Sequence, residues 1–375
     1  MSSPLMTDEE IEMTDKQNNV TSKKSLEEQM KESLKNKEDS VIKEELVEET
    51  EKELKDDIPS NYIEINLVSN GKIEGIPTKL HFRCYSASDA LDLNVDNDNK
   101  LKAITKVLTR LNYENFDISE LTIQDVLYIL YKLHQNFISR KITKQVYIDD
   151  TIEDEKLLNA DENLEKVEIP ITSMVYAYLG KDYNDNDLGN IKIPFTIRDN
   201  TTKEFASFKF NVLKDMLRAE TYCKNYFKDE FIKYADIRSS LNKINSIRDE
   251  EKQDKMFDEY LTENEDKVSE YYDFMIEYGK MVGKIIQAQT IVSYNGKELK
   301  SLDEKWDVYN NKLSYDMWEK YNDVVEKYPF GIKDDIDVYI PSLKKKVHRR
   351  VGFQFNDFVQ IDRHEDINRC TVEFD

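Results

Sequence analysis

Short stretches of the chain alternate apolar and polar residues, and this period of two predicts β-hairpins. The first runs through Ile63, Ile65 and Leu67, turns at Asn70-Gly71, and returns through Leu80, Phe82 and Cys84. Asn-Gly is a preferred turn dipeptide because both residues tolerate positive φ. Similar patterns predict a hairpin through Phe205, Phe208 and Phe210, a tight turn at Asn295-Gly296, and a C-terminal hairpin 336–356 whose strands alternate at Ile336, Val338, Ile340 and at Val351, Phe353, Phe355.

Between these hairpins, apolar residues recur every three or four positions, which predicts amphipathic helices. Such stretches lie between Leu101 and Leu111 and between Ile123 and Phe137, and a helical region is predicted over 228–290. The last helix of that region has one broad apolar face, made of Val268, Tyr271, Met275, Tyr278, Val282, Ile285 and Ile286. The predicted fold class is therefore α+β, with β-hairpins interleaved with helical hairpins.

The first 58 residues differ in composition from the rest, because the first aromatic residue of the chain is Tyr62. Glu and Lys dominate this stretch, and it has too little apolar surface to offset the entropy of ordering. We predict a disordered or transiently helical acidic arm, 1–58. It serves either as a tether or docking arm for a partner or as a solvated tail. An acidic connector at 149–166 predicts a boundary between an N-terminal α+β unit, 59–150, and a larger α+β unit, 151–375.

The charge balance restricts the classes of partner. A formal net charge of −22 repels a phosphate backbone, so nucleic-acid binding by the whole surface is not expected. The three cysteines are widely spaced and form no CxxC pair, so neither a disulfide framework nor a cysteine zinc site is expected. No signal peptide or membrane span is predicted, and the expected location is the cytoplasm in which the chain is made.

No catalytic or metal-binding motif stands out. The four histidines form no HxH, HExxH or Ser–His pattern, and His134 is interpreted as a partly exposed residue of an amphipathic helix. The run from Asp182 begins like a calcium loop but lacks its Gly and Glu, so it is interpreted as a polar turn. Gly279 and Gly283 form GxxxG, which predicts close packing of one helix on another. We therefore predict a non-enzymatic protein without a metal or cofactor.

One strongly basic cluster occurs in this acidic chain. Its members are Lys344, Lys345, Lys346, His348, Arg349 and Arg350. One interpretation is a docking site for an acidic partner, including the acidic arm of this or another copy, or for nucleic acid. The alternative is a charged loop between two strands. The cluster is the predicted partner-binding site.

The order of these patterns resembles the baseplate hub and hub-assembly proteins of T4-like bacteriophages, over roughly residues 61–360. The stretches that carry the resemblance are FDISELTIQDVLYILYKL, PFTIRDNTTKEFASFKFNVLKDMLRAETY and the run from IVSYNGKELKS to DVYIPSLKKK. Some relatives have a cysteine-rich, zinc-binding-like hairpin near the C-terminus, whereas Pro341-Ser342-Leu343 contains no cysteine. The resemblance thus does not carry a metal site over to this chain.

The resemblance implies a structural or assembly protein of a phage tail baseplate or hub, acting through protein–protein contacts. Its partners would be other tail or baseplate proteins, and it would occur in the virion or in the host cytoplasm during assembly. Exposed aromatic side chains would anchor the contacts. The alternatives are a transient acidic chaperone or adaptor and, third, an enzyme with a carboxylate-only site.

Overall fold

The computed structural model of the protein describes residues 58–93, 97–152, 158, 163–245, 247 and 249–359. The predicted arm therefore lies outside the described residues, apart from residue 58. Groups of consecutive strands and groups of consecutive helices follow one another along the described chain, and the predicted α+β class is confirmed. No helix in these ranges is both long and apolar enough to cross a bilayer.

The strands and helices have the following bounds. The strands are β1 (Tyr62–Asn66), β2 (Lys79–Arg83), β3 (Lys141–Tyr147), β4 (Leu164–Pro170), β5 (Tyr176–Ala177), β6 (Phe195–Arg198), β7 (Phe205–Phe208), β8 (Ile291–Tyr294), β9 (Lys297–Glu298), β10 (Gly331–Ile332), β11 (Asp335–Ile340) and β12 (Lys345–Arg350). The α-helices are α1 (Ala87–Leu93), α2 (Asn97–Leu111), α3 (Ile123–Leu133), α4 (Leu213–Tyr226), α5 (Lys228–Lys233), α6 (Ala235–Asn245), α7 (Glu250–Gln289), α8 (Leu302–Asn311), α9 (Tyr315–Lys327) and α10 (Phe355–Val359).

The largest hydrophobic core joins both ends of the described chain. Strands β1 and β2 pair antiparallel, with Ile63 opposite Phe82 and Ile65 opposite Leu80, as the alternation predicts. Their buried side chains pack with α2 and α3, with the β3–β4 hairpin, and with β11 and α10. Because strands can bury only one face on their own, the helices and hairpins must share this core.

The acidic connector 149–166 does not separate two cores. Strands β3 and β4, on either side of it, pair antiparallel along seven residues each. The described residues from 61 onward form one compact unit by their contacts. The predicted division into 59–150 and 151–375 thus falls inside one hairpin, because backbone pairing across the connector holds the two strands together.

The helical region has a core of its own. The described part of 228–290 forms α5, α6 and α7, and α7 carries one break, at Asn264, whose φ is −132° and ψ 20°. Val268, Tyr271 and Ile285 are buried on the predicted face of α7. Helix α4 links this core to the first, because Leu213 lies in the first cluster and Cys223 lies in the second.

A four-stranded antiparallel sheet forms the third core, in the order β6-β7-β8-β9. The predicted turn at Asn295-Gly296 joins β8 to β9, and both residues have positive φ, 48° and 80°. Phe208, Ile291 and Met317 lie buried where this sheet meets α8 and α9. The hairpin predicted around Phe205 and Phe208 is confirmed.

The C-terminal hairpin differs from its prediction in the second strand. That strand is β12, the basic stretch Lys345–Arg350, whereas the alternating residues Val351, Phe353 and Phe355 follow it. The turn at 341–344 sets the register, so the residues directly after the turn must pair with β11. Only β11 supplies a row of buried apolar residues, and β12 adds the single partly buried Val347, so β12 lacks the alternation that marks a strand in the sequence.

Candidate partner-binding surface on the C-terminal hairpin

Strands β11 and β12 form a regular hairpin that presents one face to solvent. Their register runs from Asp335 opposite Arg350 to Ile340 opposite Lys345. Every second residue of β11 is buried in the large core, namely Ile336, Val338 and Ile340. The residues between them therefore point outward, together with their partners on β12.

A tight turn at the hairpin tip is tied to the neighbouring strand. The Lys344 amide donates to the Pro341 carbonyl at 3.1 Å, and Lys344 itself has a φ of 52°. The Glu165 carboxylate, on β4, accepts hydrogen bonds from the Ser342 amide, at 3.1 Å to one oxygen, and from the Ser342 hydroxyl. This contact fixes the tip against the β3–β4 hairpin.

Arg349 anchors the base of the hairpin. Its guanidinium donates to the carbonyls of Tyr147, the last residue of β3, and Ile148, directly after it, at 2.9 and 2.6 Å. It also lies 3.1 Å from the Asp150 carboxylate, and only 11% of its side chain is exposed. The guanidinium carries several donors in a fixed planar fork, which suits this set of acceptors. The hairpin is thus held at both ends.

The other five residues of the predicted cluster are exposed, and we call them the basic face: Lys344, Lys345, Lys346, His348 and Arg350. Lys346, His348 and Arg350 lie on the outward side of β12, whereas Lys345, opposite the buried Ile340, projects from the other side at the exposed end of the strand. His348 lies opposite Asp337, with Nδ1 3.1 Å from a carboxylate oxygen. Among the residues that the structure describes, none forms an ion pair with Lys344, Lys345, Lys346 or Arg350. Three lysines without an ion pair to any described residue are thus concentrated at the tip, near the Glu165 carboxylate that holds Ser342.

Apolar side chains accompany this charge. Tyr339 lies opposite Lys346 and is 51% exposed, and Leu343 in the turn is 37% exposed. Neither was singled out in the sequence analysis. The alternation of β11 contains the signal for Tyr339, because it stands between the buried Val338 and Ile340.

The sequence thus predicted the composition of this surface but not its geometry. The cluster forms a strand and its turn, not a loop between two strands. It contributes five side chains to the surface, whereas Arg349 points back toward the body and is structural. Both differences arise from backbone pairing with β11, which places Arg349 on the side of the sheet that faces β3.

Two further histidines, His81 and His134, have structural surroundings, and His364 lies outside the described residues. His134 is buried, contrary to its prediction as partly exposed, and its two ring nitrogens lie 3.1 Å from the Phe358 carbonyl and 3.2 Å from the Lys141 carbonyl. It begins a short π-helical turn at the end of α3, over which α10 packs. His81 lies on β2, with Nδ1 2.6 Å from the Glu114 carboxylate.

Buried carboxylates also stabilise local structure. Burial tends to raise the pKa of Asp89, but hydrogen bonds from Ser86, Arg83 and Arg110 outweigh it and lower that pKa to about 2. Burial raises the pKa of Asp125, despite hydrogen bonds from Thr122 and the Ser69 amide that act in the opposite direction. Asp125 and Thr122 together cap the start of α3.

The acidic run at 182–187 folds as a polar turn. One Asp182 oxygen accepts from the amides of Asn184 and Asn186, at 2.9 and 3.0 Å. In the described part of the chain, no group of three or more His, Cys, Asp or Glu side chains is arranged to hold a metal ion.

A cleft of about 350 Å³ lies beside the C-terminal segment that follows β12. Its lining includes the apolar residues Ile104, Leu127 and Phe353 and the charged residues Lys100 and Glu220. The lining draws on α2, α3, α4 and residues 353–356, so the cleft marks where these elements meet. No sequence pattern indicated it, because its walls are far apart along the chain.

No protein-family model, curated protein or solved structure matches this chain. The resemblance to T4-like baseplate hub and hub-assembly proteins therefore remains a prediction.

Proposed function

We propose that the protein is a non-enzymatic assembly protein that binds an acidic partner protein through the basic face. The observation that carries this proposal is the exposed charge of Lys344, Lys345 and Lys346, which form no ion pair with a described residue, on a hairpin held at both ends. Such charge, in a chain with a net charge of −22, steers an acidic surface to one place.

The rigidity of the hairpin supports a role in binding. The Ser342–Glu165 and Arg349–Tyr147 contacts hold the face before a partner arrives. Binding then requires less ordering of the backbone, which lowers its entropic cost. Tyr339 and Leu343 add apolar area beside the charges, and a tyrosine supplies a large contact with few rotatable bonds.

The same face disfavours one mode of contact. Lysines on an exposed strand repel an identical strand, so they oppose sheet extension between copies of this hairpin. An acidic partner surface meets no such repulsion. The charge pattern thus favours a different protein over self-pairing at this place.

Within this general role, we propose a subunit or assembly factor of a phage tail baseplate or hub. The support is the resemblance in pattern order over roughly residues 61–360, together with a surface suited to protein contacts. A transient acidic chaperone or adaptor would use the same surface but would leave the finished particle.

Quantitative mass spectrometry of purified phage particles and of infected-cell lysate tests this proposal. Three forms are compared: the wild-type chain, a K344E/K345E/K346E variant, and a K228E/K252E/K267E control. The control makes the same charge change at exposed lysines of the helical region. We expect the K344E/K345E/K346E variant to be missing from the assembly, while the control assembles like the wild type.

The location of the wild-type chain separates the two roles. A fixed low copy number in intact particles identifies a resident subunit, whereas abundance in lysate and absence from particles identifies an assembly factor or chaperone. Absence of the chain from assembly intermediates as well as from particles would overturn the phage proposal. Equal behaviour of the two triple variants would overturn the role of the basic face.

A further inference from the structure

The long helix α7 has a second stripe, of small and apolar residues, on the side away from the helical core. It comprises Ser269, Tyr272, Ile276, Gly279 and Gly283, all exposed and spaced three or four residues apart. Tyr272 is 46% exposed and Ile276 is 56% exposed. We call these residues the outer stripe of α7. They lie on the segment that follows the break at Asn264.

Within the described part of the chain, the two glycines of the outer stripe pack against no other element. A Cβ atom built on Gly279 or Gly283 meets no atom within 4 Å among the described residues. For the residues that the structure describes, the prediction that this GxxxG packs against another helix of the same body is therefore wrong. A glycine inside a helix costs about 1 kcal/mol relative to alanine, so each destabilises α7 without a local compensation.

The outer stripe is complementary to itself in antiparallel orientation. If two copies of α7 cross between residues 277 and 278, Ile276 lies opposite Gly279 of the other copy. Tyr272 then lies opposite Gly283, and the two-fold axis repeats both contacts. Each large side chain thus meets a glycine, which lets the two helix backbones approach closely. A parallel arrangement in register would instead place like residues together.

The charges beside the stripe favour the same orientation. Asp273 and Glu277 lie on one flank before the crossing point, and Lys280 and Lys284 lie on that flank after it. In an antiparallel pair, equivalent flanks of the two helices meet. Asp273 then faces Lys280 and Lys284 of the other copy, and Glu277 faces Lys280. All four residues are exposed, and none forms an ion pair with another described residue.

We propose that two copies of this protein associate through the outer stripe of α7 as an antiparallel, two-fold symmetric helix pair. The complementarity in size and in charge identifies a second copy of the same chain as the partner of the outer stripe. The inference does not rest on the basic face or on the proposed function. One helix pair buries less than the roughly 1,200–2,000 Å² of a standard interface, so we expect a dimer in the micromolar range.

Sedimentation velocity of the full chain over a concentration series tests the association. We expect G279L/G283L to raise the dissociation constant of the dimer by roughly tenfold or more. The two leucines fill the space that Tyr272 and Ile276 of the other copy would occupy. Leucine favours helix more than glycine does, and the space around Gly279 and Gly283 is open in the single chain. The same variant should therefore melt at the same temperature as the wild type or at a higher one. Loss of the dimer is then distinguishable from loss of the fold.

A matched control carries the same side chain elsewhere on α7. E251L/K255L places two leucines at exposed positions before the break at Asn264. It should dimerise like the wild type. The proposal fails if the wild type stays monomeric up to about 100 µM, or if the glycine variant dimerises as well as this control.

A charge exchange tests the flank contacts. The D273K variant and the K280E/K284E variant should each dimerise more weakly than the wild type, because like charges then meet across the two-fold axis. A mixture of the two should restore association, since the introduced lysine of one chain faces the two introduced glutamates of the other. Failure of the mixture to associate better than either variant alone would exclude this register.

Spin labels report the orientation directly. With Cys84→Ser and Cys370→Ser in the background, a label at Glu265→Cys lies about 12 residues from the crossing point in each chain. At 1.5 Å per residue, the antiparallel pair separates the two labels by roughly 40 Å. A parallel pair would hold them roughly 10 Å apart, and that distance would overturn the proposal.

Discussion

Asp89 and Asp125 are both buried, yet their surroundings shift their pKa values in opposite directions. Two arginines and Ser86 stabilise the charged form of Asp89, and its pKa falls to about 2. Asp125 has neutral partners only, namely Thr122 and the Ser69 amide, so burial raises its pKa. The nature of the bonded partners decides the sign at each site.

We expect Asp89→Asn to destabilise the protein by roughly 2–3 kcal/mol at pH 7, because Arg83 and Arg110 lose their shared carboxylate. The folded-state pKa of Asp89 lies below the unfolded value, so its contribution is present above about pH 4 and is lost as pH falls toward 2. Urea denaturation of the wild type and the variant at pH 7, 4 and 2.5 measures their free energies of unfolding. The difference between wild type and variant should narrow in acid, and a constant difference would contradict the argument.

We expect Asp125→Ala to destabilise the protein by roughly 2–3 kcal/mol, because the Ser69 amide loses its acceptor inside the core. The start of α3 also loses a capping partner. Asp117→Ala is the matched control, since Asp117 caps a short 3-10 turn while exposed, and its loss should cost about 1 kcal/mol at most. Equal destabilisation of the two variants, measured by urea denaturation, would show that burial of Asp125 has no special role.

At the scale of elements, the C-terminal hairpin shows how one strand depends on another. Strand β11 buries three apolar residues in the core, whereas β12 contributes only the partly buried Val347. The second strand is held by its backbone pairing and by Arg349, which connects it to the end of β3. A strand that buries so little apolar surface shows no alternation of apolar residues, so the sequence pattern does not predict it.

We expect Arg349→Lys to loosen the hairpin while keeping its charge. A lysine cannot reach the Tyr147 and Ile148 carbonyls and the Asp150 carboxylate together, because it has one ammonium instead of a planar fork. Hydrogen exchange at the β11 and β12 amides should become roughly tenfold faster or more. Arg350→Lys, on the exposed face, is the control and should leave exchange unchanged. Equal hydrogen-exchange rates in the two variants would show that Arg349 does not anchor the hairpin.

At the scale of the whole molecule, α4 couples two hydrophobic cores. Its first turn, at Leu213, belongs to the core shared by β1–β4 and β11, and Cys223 three turns later belongs to the helical core. One rigid helix cannot leave either core without disturbing the other. We therefore expect the described body to unfold cooperatively, despite its separate clusters.

Labelling of the buried Cys223 thiol with a thiol reagent measures when the helical core opens. Burial raises the pKa of this thiol to about 11, so it should resist a thiol reagent at pH 8 in the native state. In a Cys84→Ser/Cys370→Ser background, labelling should begin at the same urea concentration at which far-ultraviolet circular dichroism is lost. Labelling at clearly lower urea would mean that the helical region opens by itself and that α4 does not couple the cores.

The sequence by itself determined the local elements of this protein. Period-two alternation located β1, β2 and β11, the helical period located α2, α3 and the buried face of α7, and Asn295-Gly296 marked a tight turn. These signals are local, because each element must bury one face and its own residues show which face it is. The basic residues of the C-terminal hairpin were equally visible.

Only the tertiary structure decided which elements meet. The pairing of β3 with β4 across the acidic connector, the burial of His134 beneath α10, and the inward turn of Arg349 all depend on residues far away in sequence. Pairing register adds to this, because a shift of one residue exchanges the two faces of a strand. The open space around Gly279 and Gly283 likewise follows from where the other helices pack, and GxxxG alone does not reveal it.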